Sequence, residues 1–407
     1  MSFSRVLHLV PVLAAAVALP AAEELVTVRD FSLRPAGNVT LANGTLSFHP
    51  KALLTAGYNS NVYSRENDVV GDQYGSIAAG VETRWAATDA LTIAADLQFI
   101  GTAYADETNR NLSGGTGNLT ADWKGEVARA GAKANYQRYD DPLVQTGERI
   151  KRENADGSLY LGWEGVDTKG QVSGGARSQR YLEDGENGST ADSRSNTGAT
   201  GSARYAWVGG SNTELFGSVT AATYKYKDNT RLQDGTSVVP TVGIQTLLAD
   251  RATLLVQGGV GIRTYSDEFA TDYDDQQVTT PEANVALQMP FTELTSVTVR
   301  GYATSDNGLT SNAYRLLGGG AQGKFGLTDR FGLFASGDVV KITDTASAPG
   351  VDAQDRLTTI GSAGAQFEAV RGLAFRLKAT QTNSTLKAGT GDDFKTTEVA
   401  LDTAFAF

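Results

Sequence analysis

The stretch TTEVALDTAFAF, residues 396–407, decides how the whole chain is read. Counting back by twos from Phe407 gives Phe405, Thr403, Leu401, Val399 and Thr397. The other phase gives Ala406, Ala404, Asp402, Ala400 and Glu398. Successive side chains of a strand point to opposite faces, so one face here is apolar and the other small or acidic. Such a strand suits a half-buried sheet of a soluble protein, or a sheet with one face in lipid. The remainder of the chain must choose between them.

Arg5 precedes an apolar run from Val6 to Leu19, followed by Pro20, Ala21, Ala22 and the acidic pair Glu23 and Glu24. A charged start, an apolar run too short for a membrane helix and small residues before an acidic pair predict a signal peptide. It spans residues 1–22, with cleavage near 18–22: Ala16-Val17-Ala18 fits one cut and Ala22 the other. The expected layout is therefore an exported chain with a polar periplasmic lead-in at 23–49 and a β-domain at 50–407. Asn43-Gly44 marks a tight turn within the lead-in.

No other stretch approaches the ~18 unbroken apolar residues of a membrane helix. A chain that spans a membrane without helices must do so as a closed barrel, because every backbone polar group needs an internal partner in lipid. The composition fits: 46 Gly, 9 Pro, 15 Tyr, 15 Phe and 40% hydrophobic residues. Barrels are only mildly hydrophobic, since half of each strand faces water. With no cysteine, disulfides and thiolate metal sites are excluded. The formal charge of −11 argues against nucleic acid as a partner.

Polar turn signals recur at Thr88-Asp89, Lys124-Gly125, Val166-Asp167, Gly210-Ser211, Asp250-Arg251, Thr292-Glu293, Thr328-Asp329 and Arg371-Gly372. The spacing, roughly 36 to 44 residues, holds two strands, a tight turn and one longer loop. The tryptophans keep this register: Trp85, Trp123, Trp163 and Trp207 each lie one to three residues before a short turn. Amphipathic rings collect at the water–hydrocarbon boundary, so these four are expected to form the periplasmic aromatic girdle. Tyr63, Tyr104, Tyr139, Tyr181, Tyr226, Tyr265 and Tyr302 lie beside the longer loops and mark a second aromatic level one strand length away. A propeller with blades of similar length is the competing architecture, but it leaves the terminal alternation unexplained.

The first barrel strand is expected near Lys51 to Tyr63 and the last at Phe407. Nine hairpins joined by eight short turns predict an all-β, antiparallel, up-and-down transmembrane barrel of eighteen strands, with sixteen as the fallback. Placing the apolar phase toward lipid puts Glu82, Arg84, Asp96, Arg129, Lys133, Arg177, Arg204, Arg263, Arg300, Arg376 and Lys378 in the lumen. The reverse phase would put Arg or Lys in lipid at about 2–4 kcal/mol each near the midplane. These eleven are the candidate pore-lining residues, together with Asp122, Glu164, Glu282, Glu368, Glu398 and Asp402. At eighteen strands, ~4.8 Å apart and tilted ~40°, the diameter is about 35 Å, enough for an aqueous channel.

Catalysis has little to work with. His8 falls in the signal peptide, which leaves His49 alone in the mature chain, beside Pro50 and far from the outer loops. No enzyme, cofactor or metal is expected. The outer loops carry carboxylate pairs, among them Asp106-Glu107, Asp140-Asp141, Glu183-Asp184 and Asp274-Asp275. Their spacing matches no calcium-loop template, although divalent ions bound there could bridge to lipopolysaccharide phosphates.

Two resemblances add to this reading. The final strand, ending on Phe405 and Phe407, resembles the closing strand of bacterial outer-membrane barrels, which the barrel-assembly machinery reads. Tyr58-Asn59-Ser60-Asn61-Val62-Tyr63 resembles the Tyr-x-x-Asn-Val-Tyr/Phe element of a family of β-barrel porins often encoded beside exopolysaccharide synthesis and export genes. That resemblance implies a porin-like channel in the outer membrane of a Gram-negative cell, with lipid and lipopolysaccharide around it and polysaccharide as a candidate cargo. It carries over no catalytic residue. A barrel with a blocked lumen, acting as a structural or adhesive surface protein, is the alternative.

Overall fold

The computed structural model describes residues 39–41, 44–142, 149–184, 190–210, 212–228, 234–249, 251–266, 277–306, 311–347, 355–389 and 393–407. The expected signal peptide, most of the lead-in and the acidic residues Glu186, Asp267, Glu268, Asp272, Asp274 and Asp275 lie outside them.

A short strand, Val39–Leu41 (β1), precedes the barrel. Six barrel strands follow: Leu46–Asn59 (β2), Asp72–Ala86 (β3), Leu91–Tyr104 (β4), Leu112–Lys124 (β5), Ala128–Pro142 (β6) and Arg149–Glu164 (β7). The next six are Thr168–Tyr181 (β8), Asn196–Gly209 (β9), Thr213–Tyr226 (β10), Gly235–Leu248 (β11), Ala252–Tyr265 (β12) and Gln277–Pro290 (β13). The last six are Thr295–Asp306 (β14), Ser311–Gly326 (β15), Phe331–Ser347 (β16), Asp355–Val370 (β17), Leu373–Ala388 (β18) and Phe394–Ala406 (β19). Each barrel strand is antiparallel to the next, and β19 pairs with β2 from Ala406↔Lys51 to Glu398↔Asn59. The sheet closes on itself as the eighteen-strand barrel expected from the turn spacing.

The turns follow from local chemistry. Thr88 Oγ1 accepts from the Ala90 and Leu91 amides, at 3.2 and 2.9 Å. Thr328 Oγ1 does the same for Arg330 and Phe331, at 3.2 and 3.0 Å. These side-chain turns satisfy backbone donors where the ladder stops. Gly372 takes a φ of +84°, the left-handed conformation that glycine reaches at no steric cost.

The first strand begins earlier than expected, at Leu46, and ends at Asn59. Pro50 lies inside it. Its carbonyl accepts from the Phe407 amide at 2.9 Å, so its ring nitrogen also faces the β19 side, just beyond the last β19 pair. The one bond it cannot donate, back to Phe407, lies at the very end of that ladder, where proline is tolerated. Below that point β2 outruns β19, and β1 pairs with it from Val39↔Phe48 to Leu41↔Leu46. At the upper end Asn59 Oδ1 accepts from the Asn61 amide at 2.9 Å and turns the chain, so Tyr63 lies in a loop.

Alternation sorts the side chains. Leu97, Phe99, Leu161 and Val242 are exposed on the convex face, whereas Asp96 and Gln98 between them are buried by the curved wall. No described helix is long and apolar enough to cross a membrane. An exterior of Leu, Val, Ile, Phe and Ala on a sheet without a free edge is compatible with hydrocarbon. Ala379 faces outward midway along β18, beside Val399. Ala379→Arg is expected to destabilise the barrel by about 2–4 kcal/mol. Thr380→Gln, one residue on and facing inward, is expected to leave stability unchanged; reversible chemical unfolding from lipid vesicles measures both.

Candidate functional site: the charged lumen wall

Cross-strand register places all eleven candidate pore residues on the concave phase. Glu82 faces Asp96 across one ladder and His49 across the other. Arg84 pairs with Ala94, Arg129 with Lys124, and Lys133 with Thr120. Arg177 pairs with Asp156, Arg204 with Gln171, and Arg263 with Ser237. Arg300 pairs with Gly320, Arg376 with Asp402, and Lys378 with Ala400.

Several of these charges are joined in pairs along the wall. Arg376 donates to Asp402 at 3.0 Å, and Thr55 donates to the same carboxylate at 2.7 Å, across the β19–β2 closure. Lys51 reaches Asp96 at 2.6 Å over the intervening β3. Arg300 reaches Asp338 at 2.8 Å over β15. Gly320 lies beneath that bridge: a Cβ there would sit 2.1 Å from Asp338 Oδ1, so the close approach requires glycine. Arg204 pairs with Glu214, which also meets Lys169 at 3.6 Å. Between the charges run hydroxyl contacts, Ser173 with Ser202 at 2.7 Å and Ser218 with Thr241 at 2.7 Å.

Other cations are held by aromatic faces. Arg177 lies 4.1 Å from the Tyr224 ring centroid, Arg204 4.2 Å from Phe216, and Lys133 5.7 Å from Tyr160. Such contacts hold a cation without neutralising it. Sequence reading passed over Lys51, Arg152, Lys169 and Arg356, although each shares the parity of the polar phase on its strand. The fully buried Arg356 donates to Ser384 at 2.9 Å.

The tyrosines are where the wall departs most from expectation. Tyr104, Tyr181, Tyr226, Tyr265 and Tyr302 face the lumen, all under 10% exposed. They therefore do not match the outward tryptophans at a second lipid boundary. The reason is parity: Tyr104 falls in the phase of Asp96, Gln98 and Thr102, not that of Leu97 and Phe99. Tyr181, Tyr226, Tyr265 and Tyr302, with Tyr224 and Tyr314, form an aromatic shelf near the long-loop end, while the Tyr104 ring lies 5.6 Å from Tyr74. Arg263 donates from β12 to Tyr224 on β10 and to the Ser305 carbonyl on β14. Tyr314 on β15 lies within electrostatic reach of Tyr181 on β8 and Arg152 on β7. β15 and β8 are seven strands apart, so the shelf narrows the lumen from both walls. The short helix Ala191–Arg194 (α1) flanks it, with Arg194 6.0 Å from the Tyr181 ring.

The four tryptophans sit on the convex face at the short-turn end, each between 39% and 49% exposed. Phe405 and Phe407 are exposed there too. In the loops, Tyr63 donates to Glu107 at 2.6 Å, and burial together with that carboxylate raises its phenol above the usual range. Asp140 meets Arg110 at 3.9 Å and Glu183 meets Lys151 at 3.1 Å. Among the described residues, no group of three His, Cys, Asp or Glu is placed to hold a metal ion.

A closed barrel with a hydrocarbon-compatible exterior and a charge-lined interior is a transmembrane β-barrel of the outer-membrane type. Several solved structures superpose in part on this chain. The copper transporter OprC is 12% identical, covers 92% of this chain and 81% of its own, and superposes with a TM-score of 0.47. OpdK from Pseudomonas aeruginosa is 9% identical over 88% of this chain and 99% of its own, with a TM-score of 0.47. OccK3 (OpdO) from the same organism is 9% identical over 88% and 96%, with a TM-score of 0.49. No protein-family model and no curated protein matches the sequence.

The Arg376–Asp402 pair is nearly dry. Asp402→Ala is expected to destabilise the barrel by about 3–5 kcal/mol, by leaving Arg376 without this carboxylate. The double variant Arg376→Met/Asp402→Leu is expected to recover most of that loss, as read from the temperature at which the folded form stops migrating as a compact band in detergent gels.

Proposed function

We propose that the protein is a passive, non-enzymatic channel of the outer membrane for small hydrophilic solutes or ions. The observation that carries this reading is the polar inner phase, with side-chain hydrogen bonds and ion pairs running around the wall. An interior meant only to be filled would be apolar and interdigitated, as in small closed barrels. Here the eleven candidate residues and the hydroxyls between them offer a wettable surface. Selectivity is set where the tyrosine–arginine shelf narrows the lumen.

The girdle role of Trp85, Trp123, Trp163 and Trp207 is supported by their outward exposure at one level. Recognition of the last strand by the barrel-assembly machinery is supported by the outward aromatics Phe405 and Phe407. Lipid and lipopolysaccharide surround the barrel. Polysaccharide export is a finer form of the same reading. It rests on six residues, Tyr58 to Tyr63, whose polar contacts here tie one loop to the barrel seam: Asn61 Nδ2 donates to the Arg65 and Lys395 carbonyls at 2.7 and 3.2 Å.

The buried shelf also favours the second reading, a surface protein whose lumen is occluded. Planar-bilayer recordings of the refolded barrel separate the two. A channel gives stepwise currents, and the double variant Tyr181→Ala/Tyr314→Ala raises the unit conductance while Trp123→Ala leaves it unchanged. Absence of stepwise current from both the parent and the shelf variant would overturn the channel. An export pore would also show current block by an added neutral oligosaccharide.

A further inference from the structure

On the lipid-facing phase of the described strands, charged side chains occur only toward the long-loop end. The short-turn half of that phase carries none. The acidic members number three, and each has a basic neighbour: Glu153 meets Arg138 at 3.6 Å, Asp355 meets Lys341 at 3.2 Å, and Asp140 meets Arg110. Basic residues outnumber them. Arg180 and Lys225 are exposed on one arc, at the upper ends of β8 and β10. Lys387 and Lys395 are exposed on a second arc, at the upper ends of β18 and β19, with Lys341 nearby on β16. None of those first four has an ion pair among the described residues. The outward faces of β2 to β5 and β11 to β14, which separate the arcs, carry no charge at all.

We infer that these two basic arcs are docking sites for the phosphate groups of the outer-leaflet glycolipid, held by direct cation–phosphate contact. Long loops lie on the extracellular side of such barrels, so the arcs sit at the level of that leaflet's headgroups. A Lys or Arg held beside an anionic lipid surface is attracted to it, and guanidinium or ammonium groups suit phosphate oxygens. Cations snorkelling from the strand ends also keep their stems in hydrocarbon. Among the described residues, the loop-end carboxylates fit this poorly as metal-bridged contacts, because Glu107, Asp140, Glu183 and Asp184 are engaged by Tyr63, Arg110, Lys151 and the Ala191 amide. The inference rests on the barrel's orientation in the membrane and not on whether the lumen conducts.

The test uses the full-length protein in detergent containing EDTA, with retained lipid counted by native mass spectrometry. Bisphosphorylated lipid A is compared with its dephosphorylated form. The parent is expected to prefer the phosphorylated lipid by about tenfold or more. Arg180→Gln/Lys225→Gln and Lys387→Gln/Lys395→Gln are each expected to lose about half of the bound lipid, and the combined variant the whole preference. Lys387→Arg/Lys395→Arg keeps it. Heat-dependent gel migration reports folding, and if the combined variant fails to fold the two pair variants decide. An undiminished preference in the pair variants would overturn the proposal. So would a parent that ignores the phosphates, or one that loses the lipid whenever EDTA is present.

Discussion

A backbone in hydrocarbon cannot leave an amide or carbonyl unpaired, since each such group costs several kcal/mol. In this chain that requirement is met at the junction of β19 with β2, more than 300 residues apart in sequence. The junction is reinforced at three levels. Phe407 donates to the Pro50 carbonyl at the bottom, Asp402 accepts from Thr55 and Arg376 midway, and Ser60 exchanges bonds with Thr397 at the top. Polar side chains across the seam hold together the one ladder that no hairpin turn enforces. β1 covers the short length of β2 that the last strand leaves open.

Closure then partitions the side chains by parity. Outward residues need only be apolar and can be small, because lipid fills whatever space they leave. Inward residues face one another across a curved wall, and the wall solves its desolvation problem with local pairs. Bridges such as Lys51–Asp96 and Arg300–Asp338 leap a strand, and beneath the second the intervening strand presents Gly320, where any side chain would meet the Asp338 carboxylate. Aromatic rings provide the other solution. They seat cations without consuming their charge, as at Arg177 and Lys133.

The tyrosine shelf links that packing to function. Its rings project inward near the long-loop end from strands on opposite walls, β8 and β15. A barrel of this circumference would otherwise be a wide, unselective hole. The same shelf makes conductance and occlusion two outcomes of one arrangement, decided by the residual opening beside it.

Much of this was legible in residues read by twos. The turn pairs among the described residues (Ser211 and Asp250 lie outside them), the strand count, the inward phase of the eleven charged candidates and the outward tryptophans all follow from local periodicity, because strand geometry is local and turn chemistry sits within a few residues. Parity also held the answer for Tyr104 and Tyr181, but their position beside loops suggested a boundary role instead. What only the tertiary structure decided is who meets whom around the ring. The start of β2 at Leu46 depends on a proline whose missing donor faces the end of a strand hundreds of residues away. The partner of Lys51, the shelf formed by β8 and β15, and the seam at Asp402 depend equally on the shape of a closed cylinder. Residue order along one strand does not encode the distance across a lumen.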